Sequence, residues 1–459
     1  MADLLGLALD LAERAQPGEE VEAYVSRVRE TDVKVFDRKV ESLMVAERSG
    51  VGVRVIIEGR QGFAWAGSLD LDVVETALAD ARDNAEFATP DDCQGVVTPE
   101  EARGDAPALD LWSEDLGQVA TEAKVALALE VEAATLAADP RLRGVEQAIY
   151  GDALAESAVA NSRGVSAAVQ RTTCSCAVIA LAGVNEATQT GYGFSAGRSF
   201  TDLDPEVAAR DAALRSTRLL GATQPASRRL PVVLDPLVTR SVLAVLGGAL
   251  SGEAILKGRS VLVGREGEQV GAAGLTLCDD PTDAEAFGAS AHDAEGVASR
   301  RNELIVDGVL RGFLHNAYTG RRSGTGTNGA AIRGFASTPG CGARALALTP
   351  GTRSAEQVMA AAGDALYVQS VSGLHSGTNP VSGDFSVGAE GLMLRGGAFA
   401  EPVREVTIAS TLPRILLDVV EIGSDVTWLP GGAAGVTLLI GEMSMSGASP
   451  PVLASHNPE

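Results

Sequence analysis

The chain has 459 residues, with 61 Asp and Glu against 37 Lys and Arg, so its formal net charge is −24. A surface of this sign repels polyanions and argues against direct binding of nucleic acid. Hydrophobic residues make up 45% of the chain, which is enough for a buried core and excludes a wholly disordered protein. The length predicts two or three domains.

The first residues carry Asp3 and Asp10 and no basic residue, unlike the start of an export signal. The longest uncharged stretch, 365–383, is rich in Ser, Gly and Asn, whereas a membrane span needs about 20 apolar residues. An odd number of cysteines, with Cys174 and Cys176 two apart in a strand-like stretch, indicates reduced thiols. We expect a soluble cytoplasmic protein without a membrane partner.

The hydrophobic pattern predicts a first unit over residues 1–95 in which helices flank antiparallel strands. Leucines spaced by three and four residues indicate the first helix, and apolar residues that alternate from Val21 indicate a strand. Gly59 marks a hairpin turn between two further apolar runs. The predicted elements are a helix over Ala2–Gln16, strands from Val21 and over Val51–Ile57 and Gly62–Ala66, and a helix over Asp70–Arg82.

A second unit is predicted over residues 96–225, after a polar, Pro-containing linker at 88–110. Asp204 followed by Pro205 is typical of the start of a helix. The predicted elements are a helix over Gln118–Asp139, strands over Ala155–Ala160 and Val165–Gly183, and a helix from Pro205 to Gly221.

The third unit, residues 226–459, reads as mainly β. A strand over Pro231–Leu234 leads into a helix capped by Asp235, and a later helix is predicted over Ser354–Leu366. The remaining apolar runs are short and separated by glycine. Because helices and strands do not alternate regularly, the predicted fold class is α+β and multi-domain.

Two glycine motifs do not have the context that their chemistry needs. Gly324, Gly326 and Gly329 fit a dinucleotide fingerprint but do not lie between a strand and a helix, so we interpret them as a loop. Ser195 fits a nucleophile motif, but no helix follows it directly, which favours a glycine-punctuated turn.

The four histidines are dispersed, and no pair has helical spacing for a metal site: His292, His315, His375 and His456. The most individual segment is Gly373–Gly388, where small polar residues surround one His and one Asp. Such a run is either a turn system or a loop that presents polar groups to a ligand.

This segment resembles the signature of the TldD/PmbA family, and the chain is most similar to the PmbA branch, also called TldE. Other stretches match in the family's order over nearly the whole chain: Val40–Leu43, Gly50–Val55, Ala160–Ser166, Gln189–Tyr192, Asp235–Pro236, Ala249–Gly252, Lys257–Ser260, Asp307–His315 and Glu405–Ala409.

The resemblance implies two related subunits that form a peptide-hydrolysing complex. In the TldD branch a helix with His-Glu-x-x-x-His and a later Cys hold zinc, which activates water. Here the corresponding helix contains Glu253 but no histidine, and no cysteine follows Cys341. The resemblance therefore implies no metal and no catalytic residue in this chain, with zinc in a TldD-like partner and an unfolded or leader peptide as substrate.

Two other hypotheses remain open at this stage. The pair could hydrolyse an amide bond in small-molecule (natural product) biosynthesis, or this chain could be a regulatory homodimer without protease activity. We predict that six residues lie in a substrate groove or subunit interface: His375, Ser376, Asn379 and Asp384, with Arg259 and His315 behind them.

Overall fold

The computed structural model describes residues 2–448, apart from the side chains of Ala2 and Glu186. His456 lies outside these residues. In the first half of the chain the helices and strands are α1 (Ala2–Ala12), β1 (Glu19–Phe36), β2 (Lys39–Ile57), β3 (Arg60–Ala66), α2 (Leu71–Phe87), α3 (Thr121–Ala138), β4 (Leu142–Asn161), β5 (Ser166–Ala182), β6 (Gln189–Gly197) and α4 (Pro205–Thr217).

These six strands form one antiparallel sheet in the order β3-β2-β1-β4-β5-β6. The long hairpin of β1 and β2 pairs from Glu19 opposite Ile57 to Phe36 opposite Lys39. On its other edge β1 pairs with β4, so strands from the first two predicted units share one sheet.

The four helices pack on one face of this sheet, where two apolar clusters form the core. Helix α2 turns Val74, Leu78 and Ala81 toward the strands, as its helical spacing predicts. Glycine in β6 lets α4 approach closely, because a Cβ on Gly193 would lie 2.0 Å from the carbonyl oxygen of Ala208. The C-terminal half lies against the opposite face of the sheet.

The C-terminal half contains β7 (Arg228–Leu234), α5 (Pro236–Ala249), α6 (Gly252–Leu256), β8 (Leu277–Asp279), β9 (Asn302–Val306), β10 (Val309–Leu310), α7 (Ala317–Ser323), β11 (Ala331–Ile332), β12 (Gly340–Cys341), β13 (Leu346–Leu348), α8 (Ala355–Ala362), β14 (Ala365–Ser372), α9 (Leu374–Gly377), β15 (Asp384–Arg395), β16 (Ala398–Thr411), α10 (Leu412–Leu417), β17 (Val419–Ile422), β18 (Thr427–Trp428), β19 (Ala434–Gly435) and β20 (Leu438–Ser446).

Its largest sheet has the order β16-β15-β14-β7-β20-β17, and β16 also pairs with β20. That extra pairing closes five strands into a barrel around the largest apolar cluster of the chain. At the N-terminus of α5 the Asp235 carboxylate accepts a hydrogen bond from the backbone N–H of Leu237, as an N-cap residue does. The α+β class and the mainly β C-terminal part are confirmed.

Several predicted element boundaries are wrong, among them the ends of two helices. The helix predicted over Ser354–Leu366 ends at Ala362, because Gly363 adopts a φ of 61° and β14 begins at Ala365. The first helix likewise ends at Ala12 and does not reach Gln16. Within residues 2–448, no helix is both long and apolar enough to cross a membrane.

Candidate functional site

The Gly373–Gly388 segment folds as α9 followed by a turn that Asn379 organises. The Oδ1 atom of Asn379 accepts hydrogen bonds from the backbone N–H groups of Val381 at 2.9 Å and Ser382 at 3.3 Å. The Ser382 hydroxyl donates to the Asp384 carboxylate at 2.6 Å. Much of the polarity that is visible in this part of the sequence therefore stabilises the turn itself.

Five of the six predicted site residues are exposed, and they lie on two segments that contact each other. The side chains of His375, Ser376, Asn379 and Asp384 are exposed. The turn is joined to the segment after α6 by a 2.8 Å hydrogen bond from the N–H of Val261 to the carbonyl of Pro380. Arg259, also exposed, stands two residues before that contact.

His315 is separate from this surface because it is buried, with 5% of the residue exposed. Its Nδ1 atom lies 3.2 Å from the Thr319 hydroxyl in a hydrogen bond. Burial lowers the pKa of the imidazole below its ordinary value of 6.5, which favours the neutral form of the ring. His315 is therefore not part of the exposed surface that carries His375.

Helix α6 is where a His-Glu-x-x-x-His zinc motif would stand if Glu253 were its glutamate. Gly252 and Lys257 then take the two histidine positions. The Lys257 ammonium forms an ion pair with the Glu253 carboxylate. A Cβ on Gly252 would lie 2.3 Å from Nδ1 of His315, so no larger side chain fits there.

The cysteine closest to this helix is also engaged. The Cys341 sulfur accepts a hydrogen bond from the N–H of Glu253 at 3.3 Å and lies 3.3 Å from the Ser251 hydroxyl. Within the described part of the chain, no three His, Cys, Asp or Glu side chains are grouped to hold a metal ion. The residues around α6 therefore do not fit a catalytic zinc ion.

A cavity of about 860 Å³ lies between the free face of the first sheet and the C-terminal half. Its floor is built from β1, β4 and β5, where Gly151, Ala153, Ala155 and Ser157 keep the surface low. Segments around Phe287–Ala294, Ala331–Gly334, Ala343–Arg344 and Pro430–Gly432 close the other side. The sequence pattern did not predict this cavity, although small residues at alternate positions along β4 are typical of an open sheet face.

A buried ionic network beside the cavity ties the sheet to the C-terminal half. The Arg54 guanidinium on β2 contacts the carboxylates of Glu22 at 3.0 Å and Glu295 at 3.2 Å. Glu22 also pairs with Arg333, which lines the cavity. The second carboxylate oxygen of Glu295 accepts from the N–H of Ala317 at the start of α7 at 2.8 Å.

Comparison with known proteins assigns this architecture to a metallopeptidase family. Three family models match the chain: PmbA/TldA metallopeptidase domain 1 over residues 21–85, the central domain over 114–220 and the C-terminal domain over 227–447. The chain belongs to the PmbA/TldD family.

Relatives match over almost the whole chain. It is 27% identical to a protein of Escherichia coli named metalloprotease PmbA, over 97% of this chain and 96% of that protein. It is 26% identical to a metalloprotease of Methanothermobacter thermautotrophicus, over 92% and 91% of the two chains. The crystal structure of TldE from Thermococcus kodakarensis has the same fold, with a TM-score of 0.85 at 20% identity over 97% of this chain and all of that one.

Proposed function

We propose that this chain is the PmbA/TldE-type subunit of a heterodimeric metallopeptidase, in which a TldD-like partner holds the zinc and cleaves unfolded or leader peptides. The observation that carries the proposal is the state of α6. The pattern that binds zinc in the TldD branch is replaced by Gly252 and Lys257, and His315 fills the space beside Gly252. Without those ligands, bond cleavage requires the partner.

An exposed strand edge supports assembly with another chain. Strand β3 covers β2 only from Val51 to Ile57. Among the residues that the structure describes, no strand pairs with the outer edge of β2 between Lys39 and Ser49. Apolar side chains on this edge, Val40, Leu43, Met44 and Val45, are 44% to 53% exposed. A long apolar edge of this kind is a template for strand addition by a partner or an extended peptide.

Reconstitution tests the proposal directly. The chain is purified alone and with a TldD-like partner, and bound zinc and cleavage of an unfolded peptide are measured for each chain and for the mixture. We expect zinc in the partner and cleavage by the mixture. Stoichiometric zinc in the isolated chain, or cleavage by it alone, would overturn the assignment.

The exposed candidates are tested in the same assay. If the Gly373–Gly388 segment forms a groove or interface, His375→Ala and Asp384→Ala reduce cleavage or assembly of the reconstituted pair. Unchanged cleavage and assembly for both variants would remove this segment from the proposed site.

A further inference from the structure

The free edge of β2 is the outer side of residues 39–49, which β3 leaves uncovered. Strand β3 pairs with β2 only from Val51, which lies opposite Ala66. At its other end β2 begins directly after the turn residues Asp37 and Arg38, which connect it to β1. A strand that pairs with the free edge must therefore end before it reaches Ala66.

The free edge carries opposite charges near its two ends and apolar side chains between them. Lys39 and Glu47 lie four residues to either side of Leu43, so all three side chains are on one face of the strand. The Lys39 ammonium has no hydrogen-bond or ion-pair partner within residues 2–448. The Glu47 side chain is 59% exposed, and its carboxylate lies 3.9 Å from the Arg27 guanidinium. Both charges are therefore accessible to another strand.

Few registers allow this edge to pair antiparallel with the same edge of a second copy. Two-fold symmetry requires one residue to lie opposite itself, because neighbouring residue pairs alternate between hydrogen-bonded and non-hydrogen-bonded and are not equivalent. With Met44 at the centre, Glu41 lies opposite Glu47, and the turn residue Asp37 lies opposite Val51, where β3 already pairs. A centre further along β2 extends this overlap with β3.

The register centred on Leu43 satisfies both the length and the charges. Lys39 of each copy then lies opposite Glu47 of the other, and the turn of each copy ends opposite Ser49, short of β3. A centre at Ser42 also fits the length, but it places Lys39 opposite Val45 and loses both charge pairs. Opposite charges directly across an antiparallel pair stabilise it, so the Leu43 register is favoured.

We propose that the isolated chain forms a symmetric dimer in which the free edges of two copies pair antiparallel, with Leu43 of one copy opposite Leu43 of the other. The pairing joins two six-stranded sheets into one continuous sheet and covers the exposed edge. An extended peptide would recognise the edge through its backbone alone, whereas the self-complementary order of charge favours a second copy. The inference goes beyond the proposed function, because it requires neither zinc, nor a TldD-like partner, nor cleavage.

Cysteine cross-linking of the full-length chain tests the register. The Cα atoms of opposite residues in an antiparallel pair are about 4.5–5.5 Å apart, which a disulfide can span. Leu43→Cys should therefore form a covalent dimer on mild oxidation. Val45→Cys is the matched control, because Val45 is as exposed and on the same face, but in this register it lies about 13 Å along the strand from its own copy. The wild type, with the same native cysteines, gives the background.

Charge reversal tests the complementarity, with the dimer dissociation constant measured by analytical ultracentrifugation. Lys39→Glu places like charges opposite each other twice, so we expect the dissociation constant to rise about tenfold. Adding Glu47→Lys to this variant restores opposite charges and should return the constant to near the wild-type value. Arg210→Glu, at an exposed position on α4, changes the net charge equally and should have no effect. All substituted side chains are exposed, so the fold should be kept.

Three results would contradict the inference: a chain that stays monomeric at the highest concentration reached, equal cross-linking of Leu43→Cys and Val45→Cys, or a double charge variant that dimerises no better than Lys39→Glu. A monomer that binds an unfolded peptide at this edge would assign the edge to peptide instead. Zinc content and cleavage with a TldD-like partner are measured separately, so they stand or fail independently of these results.

Discussion

The imidazole of His315 occupies the space that a side chain on residue 252 would need, because a Cβ on Gly252 would lie 2.3 Å from its Nδ1. The N–H of Gly252 meanwhile donates to the carbonyl of Leu314 at 2.7 Å. Helix α6 and the segment before α7 are therefore in direct backbone contact. A histidine could not be restored at position 252 without moving His315.

Substitution at Gly252 should be costly. Gly252→Ala forces the Cβ against His315 and the Leu314 carbonyl, and overpacking of this kind costs about 1–3 kcal/mol. Urea unfolding should show the loss, and His315→Ala in the same background should recover part of it. A Gly252→Ala variant as stable as the wild type would contradict the close approach.

The buried network at Arg54 should contribute far more to stability than an exposed pair on the same strand. Arg54→Met removes the cation shared by the buried carboxyl groups of Glu22 and Glu295, and removal of one partner from a buried ion pair costs about 3–5 kcal/mol. Arg48→Met breaks only the exposed pair with Glu30, worth about 1 kcal/mol or less. Denaturant unfolding of the two variants compares them directly, and equal losses would contradict this prediction.

The sequence predicts most of the elements but not the contacts between them. The alternation of Val21, Ala23 and Val25 indicates β1 because one face of that strand is buried. The first part of β2, from Lys39, shows no such pattern because nearly all its side chains are exposed and only pairing with β1 holds it. The hydrophobic pattern predicts a strand only where one of its faces is buried.

The same limit applies to the site. Arg54 and Glu295 are separated by 241 positions in the sequence, so no local motif predicts their contact. The Gly373–Gly388 segment is conspicuous in sequence because turns need Gly, Asn and Asp, whereas the cavity arginines are scattered over three segments. Family resemblance draws attention to the Gly373–Gly388 segment, whereas only the fold brings Arg171, Arg333 and Arg344 to one cavity.

Glu295 should make stability depend on pH. Burial raises the pKa of this carboxyl to about 7, above its ordinary value of 4.5. The unfolded chain releases this proton near the lower value, so the contribution to stability is fully present at low pH and is lost as the pH rises through about 7. Relative to Glu295→Gln, the wild type should therefore lose unfolding free energy as the pH rises from about 4.5 to about 7.

The difference between the two proteins isolates Glu295, because the histidines are common to both. Glu303→Gln, an exposed position on β9, serves as the control and should follow the wild type. Parallel pH profiles for wild type and Glu295→Gln would show that the carboxyl is not protonated in the folded state.

Two substitutions in the Gly373–Gly388 segment should distinguish its role in folding from a role in binding. Asn379→Ala removes the acceptor for two backbone N–H groups and should lower the free energy of unfolding by about 0.5–1.5 kcal/mol. His375→Ala removes an exposed side chain and should leave stability within about 0.5 kcal/mol of the wild type. Urea unfolding measures both, and equal destabilisation by the two variants would mean that His375 also serves the turn. If His375→Ala is stable yet weakens assembly with a TldD-like partner, the exposed side of the segment is a contact surface and the Asn379 side is its structural support.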